Sequence, residues 1–214
     1  MNDKEIYNKV AFSGDLNYRF DRGTNAKINL YGEERGIKWV TKTPRLGENE
    51  NLNNNELLLL RLLQNTGVVP QLYQDYIDDS WGKHDDIVMQ LINNAGSLCD
   101  YAEATIAGEV PIKTFEKILE ESVKSIDLFH ESGVIHNDLH ANNLIVTMDK
   151  NQNWQVYIID FGWSYKGDIP RWIEYERSWI ARDSEDDLFF LKRGLENLYS
   201  DYYEEYSRLL NIII

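Results

Sequence analysis

The chain has 214 residues, 43% of them hydrophobic and 12% aromatic, with a formal net charge of −14. That much apolar and aromatic material builds a packed core in one large domain or two small lobes, while the acidity argues against non-specific nucleic-acid binding and reads as a solubilising surface. A single cysteine, Cys99, excludes an internal disulfide and suits a reducing, intracellular setting, cytoplasmic or nuclear; no apolar run reaches the roughly 18 residues of a membrane span, and the polar start MNDKEIYNKV has no signal-peptide core.

In chain order, LNYRFDRGTNAKINLYG reads as two short alternating runs about a turn centred on Gly23, and GIKWVTKTP as a strand stopped by Pro44. Two-residue alternation puts Lys38, Val40 and Lys42 on one face of that strand. The run from Glu56 to Gln64 is long and leucine-rich, which favours a helix. Asparagines before it offer a cap, and Gly67 offers a stop. QLYQDYID and DIVMQLI read as two further strands, the second apolar throughout and so buried.

From about residue 97 the texture is helical. PIKTFEKILEESVKSIDLFHESG carries Phe115, Ile118, Leu119, Val123, Ile126 and Phe129 at three- and four-residue steps. Thr114 is a candidate cap for its start and Gly133 for its end. HNDLHANNLIV follows, then NWQVYIIDFG, a strand ending in Asp160. The segment from about Asp186 to Leu210 is again helical, with a break predicted at Gly194. The apolar ending LLNIII is too short for lipid insertion and is expected to pack on this chain or another. The pattern is α+β in two lobes, with the polar motifs where the lobes meet, the usual place for a ligand cleft.

Those motifs carry a recognisable chemistry. Asp138 and Asn143 lie five residues apart in a turn between a helix and a strand. An aspartate accepts the proton of an incoming hydroxyl, and an asparagine oxygen suits magnesium, a hard cation. Asp160 supplies a carboxylate for the same metal, and Gly162 lets the backbone bend after it. Phosphoryl transfer asks for little more than such groups and a cation on the phosphates. Each piece alone occurs by chance; Asp-x4-Asn, a short hairpin and Asp-Phe-Gly, preceded by an amphipathic helix, form a specific combination.

HNDLHANN followed by IIDFG resembles the catalytic and metal loops of the protein-kinase-like superfamily. The resemblance spans roughly residues 15–165. It implies a bilobal fold with a β-rich first lobe (residues 1–92) and a shortened, mainly helical second lobe (residues 93–214). It also implies ATP and Mg2+ as cofactors. Lys42 then grips the phosphates and pairs with Glu56, with Lys38 as the rival on the same strand face. Gly23, Ile28, Val40, Met89, Gln90, Leu91 and Ile145 become nucleotide-pocket residues. His136 becomes a framework residue beneath the loop.

The departures bear on the acceptor. Of three expected glycines in the phosphate loop only Gly23 stands, with Asp21 and Ala26 at the others. Asn137 replaces the arginine that often meets an activation-loop phosphate. His140 stands where serine/threonine kinases carry a lysine, as in small-molecule phosphotransferases, and is expected to contact the phosphoryl group. No Ala-Pro-Glu follows Asp-Phe-Gly, and DDLFFLKRGL resembles the central helix of the second lobe, with Asp187 or Asp186 bracing the catalytic loop. That economy is similar to the small kinase subunit of the KEOPS complex and to the RIO kinases.

The resemblance implies a compact serine/threonine protein kinase acting on a protein substrate or within a partner complex. The alternatives are a choline- or aminoglycoside-type phosphotransferase and a kinase-shaped, ATP-binding or ATPase subunit. Catalysis falls to Asp138, His140 and Lys42, metal binding to Asn143 and Asp160, and no membrane or nucleic-acid partner is expected.

Overall fold

Alternating residues in the first part of the chain pair into an antiparallel sheet of order β1-β2-β3, from β1 (Ala26–Glu34), β2 (Ile37–Pro44) and β3 (Ile87–Gln90). The structure, a computed structural model, describes residues 3–6, 26–34, 37–44, 50–73, 86–199 and 203–213. Gly23, Asp21 and the turn predicted around them lie outside these residues, as does most of the strand predicted for QLYQDYID. Its beginning is described: Leu72 bridges Met89, and the Tyr73 amide donates to the Val88 carbonyl at 2.8 Å. Register aligns Ile28, Lys42 and Ile87 in one row and Leu30, Val40 and Met89 in the next. Residues directly opposite in a sheet share a face, so the row of Lys42 and the row of Val40 are adjacent along one surface.

Helix α1 (Glu50–Leu63) packs Leu59, Leu60 and Leu63 inward at helical spacing. It starts at Glu50, so Asn51, Asn53, Asn54 and Asn55 lie inside the helix and not ahead of it as caps. Asparagine loses only some tenths of a kcal/mol in a helix, and Asn55 gains tertiary partners described below. A short turn at Gln64–Thr66 leads to Gly67, whose φ of 74° is the left-handed conformation that stops the helix.

The second lobe is built from α2 (Leu98–Ile106), α3 (Ile112–His130), α4 (Arg171–Glu176), α5 (Ser184–Leu198) and α6 (Tyr203–Leu210). A small sheet joins β4 (Gly96–Ser97), β6 (Leu144–Met148) and β7 (Trp154–Ile158); β5 (Val134–Ile135) pairs with β8 (Tyr165–Lys166). Ser97 caps α2 through a reciprocal capping box with Asp100. Helix α3 is the core of the lobe: Phe115, Ile118, Leu119, Ile126 and Phe129 are fully buried, each contributing about 1.5–3 kcal/mol of apolar transfer.

Three sequence expectations are corrected here. Pro111, not Thr114, sits at the start of α3, because proline's fixed φ suits a helix beginning; the Thr114 hydroxyl instead donates to Asp3 at 3.3 Å. Strand β7 ends at Ile158, because its partner β6 begins at the opposite residue, Leu144, and Asp160 lies two residues beyond the ladder. Helix α5 runs through Gly194: buried Leu191 and Leu195 hold it despite the glycine, which costs about 1 kcal/mol against alanine. It ends at Leu198, before Tyr199, whose ring stacks on Tyr206 at 4.4 Å. Leu209, Leu210 and Ile213 are buried, so the apolar C-terminal stretch packs on this chain. No helix among the described residues is long and apolar enough to cross a membrane.

Candidate active site

Lys42 projects from β2 into a cluster of opposite charge. Its Nζ lies 2.6 Å from Glu56 Oε2 on α1 and 2.7 Å from Asp160 Oδ1 beyond β7. The Lys42 and Glu56 side chains are buried, whereas that of Asp160 is half exposed. Burial alone would lower the Lys42 pKa, but the Glu56 and Asp160 carboxylates outweigh it and hold the ammonium well above its usual range. For Glu56 the balance is reversed: burial raises the carboxyl more than Lys42 lowers it. Asp160 is held below the usual carboxylate range because Lys42 overcomes the effect of desolvation. One cation thus links the first sheet, helix α1 and the Asp-Phe-Gly turn.

A second tie reinforces this link. Asn55 Nδ2 is placed to donate to the carbonyls of Phe161, Gly162 and Ser164, at 3.3, 3.0 and 2.7 Å. Gly162 packs against α1: a Cβ built there would sit 3.5 Å from Leu52, ordinary contact, so close packing is compatible with the glycine without demanding it. Asp160 has a φ of 68°, a left-handed conformation in which aspartate is among the better tolerated residues. The turn is therefore tied to α1 through Lys42, which bridges Asp160 and the buried Glu56, and by a fan of amide hydrogen bonds. The sequence offers Asn55 only as one of the cap candidates; its position one residue before Glu56 is the signal for this tertiary role.

Below the turn, the HNDLHANN loop is suspended from α5. The fully buried Asp187 carboxylate accepts hydrogen bonds from the His136 amide at 2.7 Å and the Asn137 amide at 2.8 Å, with His130 Nε2 at 3.0 Å. Asp187 is thus the brace; Asp186 instead accepts from the Arg182 amide. His136 is fully buried between the rings of Phe129 and Phe161, and its Nε2 lies 3.0 Å from the Ile159 carbonyl. A carbonyl only accepts, so Nε2 carries the proton. His136 is framework, tying the catalytic loop to the residue before Asp160.

Asn137 does more than replace a charged residue. Its φ of 60° and full burial suit a small polar side chain. Its Nδ2 donates to the Trp163 carbonyl at 3.1 Å, and its Oδ1 accepts from the Ala181 amide at 2.8 Å. One uncharged side chain therefore pins both ends of the segment after Asp-Phe-Gly.

Asn143 closes the loop: its Nδ2 donates to the Asp138 carbonyl at 2.9 Å. The Ile159 amide donates to the Asn143 carbonyl at 3.0 Å, which brings Asn143 beside the segment carrying Asp160. With Nδ2 committed, the carboxamide oxygen of Asn143 is the atom left for a cation. One carboxamide and one carboxylate suit magnesium, which keeps several waters and needs few protein ligands. His140 lies near Asp138 and Asp160, and its burial lowers the imidazole pKa, so it is neutral near neutral pH.

Of the nucleotide-pocket residues, Val40 and Met89 are buried neighbours in register, and Ile145 is half buried opposite Tyr157. The Gln90 amide is already engaged, donating to the Gln71 carbonyl at 2.8 Å, so that N–H does not serve an adenine ring; Leu91 follows at the strand end. For Ile28 the backbone alone is described, opposite Lys42.

The arrangement identifies the class of protein. The chain belongs to the protein kinase family: that family's protein kinase domain matches residues 22–171. It is 27% identical over 133 residues to calcium/calmodulin-dependent protein kinase type 1 of Caenorhabditis briggsae, covering 62% of this chain and 35% of that protein. It is 26% identical over 150 residues to the serine/threonine-protein kinase STE20 of Eremothecium gossypii, covering 70% of this chain and 13% of the relative. It is also 29% identical over 128 residues to the type 1 kinase of Macrobrachium nipponense, covering 60% and 34%. The matches thus span about a third, or less, of the length of these relatives.

Proposed function

We propose that this protein is a serine/threonine protein kinase that moves the γ-phosphoryl group of ATP to a hydroxyl of a protein substrate. The observation that carries the reading is the seating of Lys42 between Glu56 and Asp160, with Asp138 and Asn143 on the adjoining loop. Lys42 is then the cation for the nucleotide phosphates, held in place by Glu56. Val40, Met89, Leu91 and Ile145, with Gly23 and Ile28, enclose the nucleotide. Asn143 and Asp160 would hold magnesium, whose charge offsets that of the phosphates. Asp138 orients the acceptor hydroxyl and takes its proton as the hydroxyl oxygen bonds to the γ-phosphorus. The bond from that phosphorus to the β–γ bridging oxygen breaks, and ADP leaves. His140, uncharged near neutral pH, contributes a hydrogen bond rather than a fixed cation.

The test is incubation with labelled ATP, magnesium and a generic acceptor such as casein. Labelled phosphoprotein is expected. Asp138→Ala is expected to lower the rate by at least about a hundredfold, since a positioned acid or base contributes 10²–10⁴-fold, while nucleotide binding persists. Transfer to small alcohols alone would favour a small-molecule phosphotransferase. Binding of ATP without transfer to any acceptor would favour a nucleotide-binding subunit.

A further inference from the structure

One cation in the site is unclaimed by the roles above. Arg177, from the segment after Asp-Phe-Gly, places a guanidinium nitrogen 2.9 Å from Asp138 Oδ1. Its other terminal nitrogen donates to the Asn137 carbonyl at 3.3 Å. The guanidinium carbon lies 4.5 Å from the centre of the Trp163 ring, which itself packs on Trp172 at 5.7 Å. Arg177 is mostly buried, with 23% of its side chain exposed. A chance surface pair between exposed side chains has none of this support and is worth little. Here the fork is fixed from an aromatic face, a carbonyl and a carboxylate.

The surroundings explain why the position matters. HNDLHANN contains no lysine or arginine, so the catalytic loop brings no permanent positive charge of its own. Lys42 is engaged with Asp160 and Glu56. The backbone that carries Arg177 is anchored on either side by Asn137, through the Trp163 carbonyl and the Ala181 amide. The Tyr165 hydroxyl adds a hydrogen bond to the Ala181 carbonyl at 2.5 Å. Neutral groups therefore deliver a charged side chain to the loop.

Resting on the phosphotransferase reading, we infer that Arg177 is a positioning residue for Asp138. It holds Oδ1 and so presents Oδ2 to the acceptor hydroxyl, and it sets a permanent positive charge beside the reacting oxygen. During transfer the hydroxyl proton passes to Asp138, the oxygen–phosphorus bond forms and ADP departs with the bridging oxygen. Charge on the transferring group is stabilised best by a cation already in place, and an arginine supplied from the same chain serves that end in other phosphoryl-transfer sites.

The experiment compares wild type, Arg177→Gln, Arg177→Lys and the double variant Arg177→Gln/His140→Lys. Steady-state transfer to casein, Mg-ATP affinity and melting temperature are measured for each. Arg177→Gln is expected to lower kcat about a hundredfold or more with ATP affinity within about threefold. Arg177→Lys keeps the charge and loses the fork, and is expected to fall between the two. Lysine at position 140 returns a cation to the loop and is expected to recover at least about tenfold of the lost rate. Wild-type kcat in a folded Arg177→Gln would overturn the inference while leaving the kinase reading intact. So would an equal loss of ATP binding, or a rate defect that follows melting temperature across the three variants. A wild type that binds Mg-ATP and transfers to no acceptor would overturn the kinase reading and this inference together.

Discussion

At the scale of single residues, Lys42 decides the most. Its ammonium is the cation paired with the buried carboxylate of Glu56. Removing one member of a buried ion pair costs about 3–5 kcal/mol, whereas replacing both with apolar groups is often neutral. Lys42→Met is therefore expected to lower unfolding free energy in urea by about 3 kcal/mol, and Lys42→Met/Glu56→Leu to regain most of it. A double variant as unstable as the single would show that the exposed pair with Asp160 is the interaction that matters. The pH dependence follows from direction. Burial raises the Glu56 carboxyl, and an acid with a raised folded pKa favours the folded state as pH falls. Without Lys42 that effect grows, so the deficit of Lys42→Met against wild type narrows as pH is lowered from 7 towards 5. Asp138, Asn143 and Asp160 are proposed from their spacing within one short stretch, and Lys42 and Glu56 from the family resemblance; the structure brings Lys42, Glu56 and Asp160 together. Arg177 is not among them, because nothing local distinguishes it from any arginine between aromatic residues.

At the scale of elements, α5 and α1 act as supports for two loops. Asp187 sits in the first turn of α5, where the helix dipole favours a carboxylate, and receives both amides of the catalytic loop. Asp187→Ala would leave two buried N–H donors unpaired. Hydrogen bonds to charged groups are worth about 1.5–3 kcal/mol each, so a loss of about 3–5 kcal/mol is expected by chemical denaturation. A loss under about 1 kcal/mol would mean the loop finds other acceptors. Element identity was readable where the periodicity was long, as in α3, and boundaries were not. The start of α1 and the continuity of α5 through Gly194 were missed because tertiary packing overrode weak local preferences: Asn55 is rewarded by the Asp-Phe-Gly turn, and Leu191 and Leu195 are buried on either side of the glycine's own turn.

At the scale of the whole molecule, ATP binding would join two bodies through Lys42, Glu56 and Asp160, which come from three different elements. A ligand that binds only the folded state stabilises it by about 2.7 kcal/mol at a hundredfold excess over its Kd. Mg-ATP is thus expected to raise the melting temperature of wild type and to have little effect on Lys42→Met. No shift for wild type at millimolar Mg-ATP would remove the nucleotide site from Lys42 and its partners. The sequence by itself determined the α+β class and the order of strands and helices. It could do so because apolar periodicity and short-range spacing are properties of the chain. Only the tertiary structure decided how the segment after Asp-Phe-Gly is held, with Asn137 pinning its two ends and Arg177 returned to Asp138. Those contacts join residues 26 to 44 positions apart, and their geometry exists only once the core has packed.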